Sequence, residues 1–273
     1  MGGTSTDVAL IRDCQPSVSN EIEIEYAMPI HVPMLDVRTI GAGGGSIARV
    51  NEAGLLEVGP QSAGADPGPI CYGRGGDLPT ISDANMVLGR LDVGKLKSVP
   101  GAVDIEDIRR IFQARLADPL GVDAETAAAA VLRMATTRMA GATRMVSVSL
   151  GLDPRDFSLF AFGGAGPLHA SALAGELGVP EVLVPARPGI TNALGCIVAD
   201  LRHDFVRTVN RPLDGMEIDR LNGMLEHQAG EGEALIRQEP VRIEAVDVTH
   251  SLDMQFAGQT HLLSVPLESS KMK

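Results

Sequence analysis

FSLFAFGGAGPLHASALAGEL, residues 157–177, decides the fold class. Phe157–Phe162 is apolar and rich in aromatic residues, as a buried strand is. It runs into Gly163, Gly164 and Gly166, and a helix is predicted from about Leu168 to Leu177. A strand–Gly-Gly–helix passage leaves free N–H groups at a helix N-terminus, where the dipole also favours anions. Glycine also serves close strand–helix packing, and the residues alone allow that reading. The spacing is not GxGxxG and no GK[ST] follows, so neither the dinucleotide fingerprint nor the P-loop applies.

Outward from that stretch, strands and helices alternate. Val182–Val184 reads as a strand. A helix follows Pro188-Gly189 to about Leu201, a helical region covers Asp214 to Gln238, and late strands are expected at Val241–Val248 and His261–Val265. Upstream, Asp104 can cap a helix ending at Asp118-Pro119. Asp123 can cap a longer one whose buried stripe is Leu132, Ala135, Met139, Ala142, Val146 and Leu150. Alternating strands and helices indicate an α/β protein. No fixed-period repeat occurs.

The N-terminal part reads as strands. Val8–Ile11 after a Gly-Gly turn resembles one hairpin arm whose other arm should precede Met1. Residues 21–26 alternate strictly, Val37–Ile40 reads as a strand, and Ile47–Val50 with Leu55–Val58 form a hairpin across Asn51–Gly54. Gly59 to Pro79 is too punctuated for regular elements.

Composition bounds the function. With 23 Lys and Arg against 35 Asp and Glu the net charge is −12, and such a surface repels a phosphate backbone, so nucleic acid is not expected as a partner. Three cysteines without CxxC spacing (Cys14, Cys71, Cys196) argue against a disulfide framework or structural zinc. There is no run long enough to span a membrane and no signal-like start, so a cytoplasmic, soluble chain is expected. Aromatic residues are 3% of the chain with no Trp, which disfavours a base-stacking platform.

Among the 31 glycines three clusters stand out: GGTSTD at 2–7, GAGGGS at 41–46 and GGAGP at 163–167. Glycine turns expose N–H groups that cradle phosphate, the hydroxyls of Thr4, Ser5 and Thr6 add donors, and Asp7 can hold a nucleotide's metal ion. A tight turn with Asp7 as a local acceptor is the plain alternative. The middle cluster can be a mobile loop or a backbone-lined pocket. Asp66 and Asp83 can serve as metal ligands or as acid and base, but Asp66 also suits a turn before Pro67, and Ser82 or Asp83 suits a helix N-cap. Cys71 has no pairing base and reads as buried filler. His169, two residues past the glycine turn, reads as a polar pocket or packing residue. His203-Asp204 is too short a signal for a metal pair.

The order GGTSTDVALI, DVRTIGAGGGSIARV, GPQSAGADPGPICYGRGGDLPTISDANMVLGRL and FAFGGAGPLHA closely resembles the hydantoinase A/oxoprolinase family, and DMQFAGQTHLL at 253–263 extends the likeness. That family includes N-methylhydantoinase, 5-oxoprolinase and the acetone carboxylase beta subunit. The resemblance implies the second half of an actin, sugar-kinase and heat-shock-chaperone-like ATPase fold, of ribonuclease H type. It implies ATP with Mg2+, and a cyclic amide such as a hydantoin or 5-oxoproline activated by phosphorylation before ring opening. A ketone phosphorylated for carboxylation is the sister chemistry. GGTSTD matches the second phosphate loop and FGGAG the adenosine-contacting turn. The residues implied are Gly2, Gly3, Thr4, Ser5, Thr6, Gly43, Gly44, Gly163, Gly164 and Gly166 for the nucleotide, Asp7 for the metal, and Asp7 with Asp83 for catalysis.

Family members carry an earlier half with a DxGGT-type first phosphate loop, so the expectation is that this half lies outside the chain and that a hydantoinase B-like subunit is a further partner. A non-catalytic interaction module is the alternative. Exposed apolar edges are expected to make the chain alone associate. Three segments are expected: 1–100 with the phosphate loop and the Gly/Pro-rich stretch, 101–212 with the helices and adenosine turn, and 213–273 opening a C-terminal α+β part.

Overall fold

A computed structural model describes residues 1–19, 22–23, 29–30, 34–95, 103–259 and 262–267. The chain forms two compact units, Met1–Val198 and Ala199–Lys273.

In the first unit, β1 (Thr6–Ala9) pairs antiparallel with β2 (Val37–Ile40), Thr6 opposite Ile40. β1 thus has a partner downstream in this chain. The intervening chain folds back on itself in short ladders. Ile11–Arg12 pairs with Gln15–Pro16, Val18–Ser19 with Met34–Leu35, and Ile22–Glu23 with Pro29–Ile30. The turn between Arg12 and Gln15 sets Asp13 at φ 52 and Cys14 at φ 60, the left-handed pair of a two-residue hairpin. Of the alternating 21–26 stretch, Ile22–Glu23 is a strand and the rest lies outside the described residues.

The hairpin of β3 (Ser46–Val50) and β4 (Leu56–Ser62) forms as its sequence predicts. Asn51 closes it, its Oδ1 accepting the amides of Ala53 and Leu55 at 3.0 Å each. Helix α1 (Ile81–Val87) follows. Its cap is Thr80 rather than Ser82 or Asp83, because Asp83 is the N3 partner in a reciprocal capping box that starts the helix earlier.

Helix α2 (Ile105–Phe112) is capped by Asp104 as expected, but Asp118-Pro119 does not stop it. A π turn over Gln113–Ala117 passes into a further helical turn, Asp118–Leu120. Proline is tolerated in a first turn, where its missing N–H needs no partner, and Gly121 at φ 69 ends the run.

Helix α3 (Ala124–Val148), capped by Asp123, is the spine of this unit. Ala127, Ala128, Val131, Leu132, Ala135, Met139, Ala142 and Val146 are buried. The sequence stripe holds except at Leu150, which lies beyond the helix end and is 54% exposed. Alanines let neighbouring elements approach closely. α1 with Ile81, Met86 and Val87, and α2 with Ile108 and Phe112, pack on the first half of α3. Each such large buried side chain contributes about 1.5–3 kcal/mol. Met139 and Ala140 pack with Leu173 and Leu177 of α4 (Gly166–Leu177).

β5 (Ser158–Phe160) and β6 (Glu181–Leu183) pair in parallel, with α4 as the crossover. This is the α/β unit read from residues 157–177. Helix α4 begins at Gly166 with Pro167 in its first turn and ends at Gly178, φ 72. The unit closes with α5 (Thr191–Val198).

The second unit holds α6 (Ile218–Ile236) and the antiparallel pair β7 (His250–Met254) and β8 (Leu263–Leu267). Val241–Val248, expected as a strand, has no regular structure, and the strand starts at His250. Among the described residues no helix is long and apolar enough to cross a membrane.

Candidate functional site

The three glycine clusters, far apart in sequence, meet at one place. The Gly44 amide donates to the Gly2 carbonyl at 2.9 Å and the Gly45 amide to Gly3 at 2.6 Å. The Ala165 amide donates to the Met1 carbonyl at 3.2 Å, while the Met1 amine donates to Phe162 at 3.1 Å. Residues 1–3 thus lie between the middle cluster and the start of α4.

Substitution geometry separates the glycines into two kinds. A Cβ on Gly43 would sit 2.5 Å from the Thr4 carbonyl carbon and 2.6 Å from the Gly3 carbonyl, and one on Gly163, at φ 90, would fall on Met1. These two are glycine because another backbone occupies the space. At Gly2, Gly3 and Gly164 a Cβ would meet nothing within 4 Å, so space is open on that side, although the Gly2 amide donates to the Ser5 carbonyl at 3.0 Å. Gly166 is in ordinary contact with Met1 at 3.7 Å. Gly44, buried, would press on Ser82 Oγ at 2.8 Å, with the Gly2 carbonyl at 3.8 Å and Ala165 Cβ at 3.9 Å beyond it.

The hydroxyls divide likewise. Thr6 is 7% exposed and donates to the Ala42 carbonyl, so it is spent on joining β1 to the second cluster and offers nothing outward. Thr4 and Ser5 are solvent-accessible, and neither hydroxyl has a hydrogen-bond partner among the described residues. Asp7 is exposed on β1, accepting from Thr39 Oγ1 at 2.7 Å. Burial lowers the pKa of the Met1 amine, and the nearby Asp7 charge offsets only part of that.

Asp83 is elsewhere in kind. It is fully buried, and its carboxylate accepts the amides of Cys71 at 2.8 Å, Thr80 at 2.9 Å and Ile70 at 3.2 Å, and the Thr80 hydroxyl at 2.8 Å. Burial pushes its pKa up, and these donors pull it down. With its oxygens committed inside, it holds the Ile70–Tyr72 turn to the start of α1. Cys71 is buried, and burial together with the Asp83 charge drives its thiol pKa up, leaving it inert as a nucleophile. Asp66 is exposed on its loop, away from any described acid cluster, and among the described residues no group of three or more His, Cys, Asp or Glu is arranged to hold a metal. His203 contacts Glu239 at 3.4 Å, not a metal partner.

Two residues gain weight from the tertiary structure. The Ser82 amide donates to the Gly44 carbonyl at 2.7 Å, tying α1 to the glycine seam. His169, on the first turns of α4, is 2% exposed with no hydrogen-bond partner for its Nε2. Burial, then the charges of Arg90 and the N-terminal amine, push its pKa down to about 4, so the ring is neutral at physiological pH. The TISD pattern signalled a cap at Ser82. Nothing in the sequence placed its hydroxyl against Gly44.

The arrangement brings three glycine turns together with an exposed carboxylate, Asp7, nearby, and such turns can hold an oxyanion. The observed open space over Gly2, Gly3 and Gly164 and the free Thr4 and Ser5 hydroxyls fit the phosphates of a nucleotide. Gly43, Gly44, Thr6 and Gly163 shape the cradle from behind.

A profile of the hydantoinase/oxoprolinase family matches residues 1–205. The caprolactamase subunit alpha of Pseudomonas jessenii is 37% identical over 276 residues, all of this chain and 39% of that one. Its solved structure, an ATP-dependent caprolactamase, superposes with a TM-score of 0.77 at 35% identity, over 100% of this chain and 40% of that chain. 5-oxoprolinase PfmaA of Pestalotiopsis fici is 37% identical over 238 residues, 84% of this chain and 18% of that protein. The acetone carboxylase beta subunit of Xanthobacter autotrophicus is 34% identical over 226 residues, 81% of this chain and 31% of that protein. The chain spans well under half the length of each of these relatives.

Proposed function

The chain belongs to the hydantoinase/oxoprolinase family, and from that premise we propose that it is the nucleotide-holding part of an enzyme that spends ATP to activate a cyclic amide. The observation that carries this reading is the meeting of GGTSTD, GAGGGS and GGAGP, with open space beside Gly2, Gly3 and Gly164. The similarity to an ATP-dependent caprolactamase supports both the nucleotide and the lactam.

A lactam is resonance-stabilised, and water opens it slowly. Transfer of the terminal phosphoryl group of ATP to the amide oxygen, releasing ADP, makes that oxygen a leaving group. Water then adds to the carbon, the C–N bond breaks as the ring nitrogen takes a proton, and a second water hydrolyses the resulting acyl phosphate to carboxylate and free phosphate. Catalysis of phosphoryl transfer is mostly positioning and electrostatics. In this reading Gly2, Gly3, Thr4, Ser5 and Gly164 hold the phosphates and turn, and Asp7 carries the Mg2+ that offsets their charge. Asp83 is a positioning residue for the loop beside them, not a proton carrier. A hydantoinase B-like subunit supplies the hydrolytic half, in a cytoplasmic assembly.

The test is phosphate release by the full chain with its partner subunit, given ATP and hydantoin, 5-oxoproline or caprolactam. ATP consumption that rises with one of these amides is expected. An assembly that binds no ATP, or whose ATP use ignores every amide offered, overturns the reading.

A further inference from the structure

We propose that Ser82 and His169, at the starts of α1 and α4, are the side-chain ligands of a phosphoryl oxygen seated over the Gly2–Gly44 seam, completing a cradle otherwise made of backbone. The proposal rests on the nucleotide reading above and assigns residues that reading leaves unused.

The two helix starts meet at a single glycine. Ser82 Oγ and Ala165, the cap residue of α4, both border the position a Gly44 side chain would take, and the Ser82 amide binds the Gly44 carbonyl. Ser82 is partly exposed, and its hydroxyl has no hydrogen-bond partner among the described residues. Helix α4 then presents His169 within its first turns, 2% exposed, with Nε2 buried and unpartnered. A buried ring nitrogen without a partner is costly, and such orphans mark places where something else binds.

The surroundings favour an anion. Arg90 is close enough to act electrostatically on His169, and no carboxylate pairs with Arg90 among the described residues. The α4 N-terminus adds its dipole. Pressed down to a pKa of about 4, His169 stays neutral, so it offers an N–H without carrying a charge. Gly44 is then small for a reason beyond packing: any side chain there displaces the Ser82 hydroxyl.

The experiment is calorimetry on the full chain with Mg-ATP, AMP and adenosine, comparing wild type with Ser82→Ala, His169→Gln and His169→Phe. Ser82→Ala, a mild change on a partly exposed residue, is expected to weaken ATP about 3- to 10-fold and to leave adenosine unchanged. His169→Phe is expected to do the same, with His169→Gln recovering part of the loss because its amide can still donate. A loss shared by ATP and AMP seats the contact on the first phosphate, and a loss confined to ATP seats it further out. Either outcome supports the proposal. ATP affinity unchanged in Ser82→Ala and in folded His169→Phe overturns it alone, as does an equal loss for adenosine. A wild-type chain that binds no nucleotide removes the underlying reading as well.

Discussion

The carbonyl of Gly2 accepts the amide of Gly44 at 2.9 Å, so the first glycine cluster is hydrogen-bonded to the second rather than merely near it. The neighbouring Gly3–Gly45 bond makes the contact a short two-rung ladder, built without side chains. This approach is why the two kinds of glycine in the seam should respond differently to substitution.

Gly43→Ala places a methyl 2.5–2.6 Å from the backbone of Gly3 and Thr4. The loop must move, and overpacking of this sort costs about 1–3 kcal/mol. Gly2→Ala meets nothing within 4 Å, and its effect on stability should stay within about 0.5 kcal/mol. Denaturant unfolding of the two variants of the full chain distinguishes them, and equal losses would refute the division.

Asp83→Ala strips the acceptor from the Ile70, Cys71 and Thr80 amides and the Thr80 hydroxyl in a fully buried site. A loss of about 3–5 kcal/mol is expected, as for breaking a buried charged network. Asp83→Asn should fall between, since one acceptor oxygen remains. If the Asp83→Asn chain keeps wild-type stability but loses all turnover, Asp83 acts in the chemistry and the positioning role is wrong.

His169 has a folded pKa of about 4 against an ordinary 6.5, so the unfolded chain takes up its proton first as pH falls. Its share of stability is complete above pH 6.5 and disappears on acidification between 6.5 and about 4, up to roughly 3 kcal/mol. Plotting the stability of wild type minus His169→Gln against pH isolates it. A flat difference across that window would mean the ring is not held neutral.

Cys71 is buried with its thiol pKa raised, whereas Cys14 and Cys196 are exposed. Brief alkylation of the native protein followed by peptide mapping should modify Cys14 and Cys196 and leave Cys71 intact until denaturant is added. Native labelling of Cys71 at a rate like theirs would contradict its placement.

Asp7→Asn removes a charge from an exposed position whose one side-chain hydrogen bond among the described residues, from Thr39, an amide oxygen can still accept. Stability should change by less than about 0.5 kcal/mol, while Mg2+-dependent ATP affinity falls. Binding that keeps its full magnesium dependence in Asp7→Asn would move the metal away from Asp7.

Periodicity and capping chemistry are local, and they were legible. The α3 stripe from Leu132 to Val146, the Asp104 and Asp123 caps, the Asn51–Gly54 hairpin and the strand–glycine–helix run at 157–177 all form as read. Readings of where helices end failed: Pro119 rides in a helical turn behind a π turn, and Leu150 sits past the end of its helix. The α1 cap fell on Thr80 through a capping box with Asp83, whereas the hold of Asp83 on the Ile70 and Cys71 amides across the loop is shown by no local pattern.

Glycine is a statement about absent bulk, and the sequence by itself determined where bulk is absent, which elements flank it and, through its motifs, the family. Only the tertiary structure decided what uses the space. At Gly43 and Gly163 it is another stretch of backbone, at Gly44 the Ser82 hydroxyl, and at Gly2, Gly3 and Gly164 it is left open. The physical reason is that a missing Cβ looks the same along the chain whether a neighbour fills its place or a ligand does, and the two differ only in atoms brought there by long-range packing.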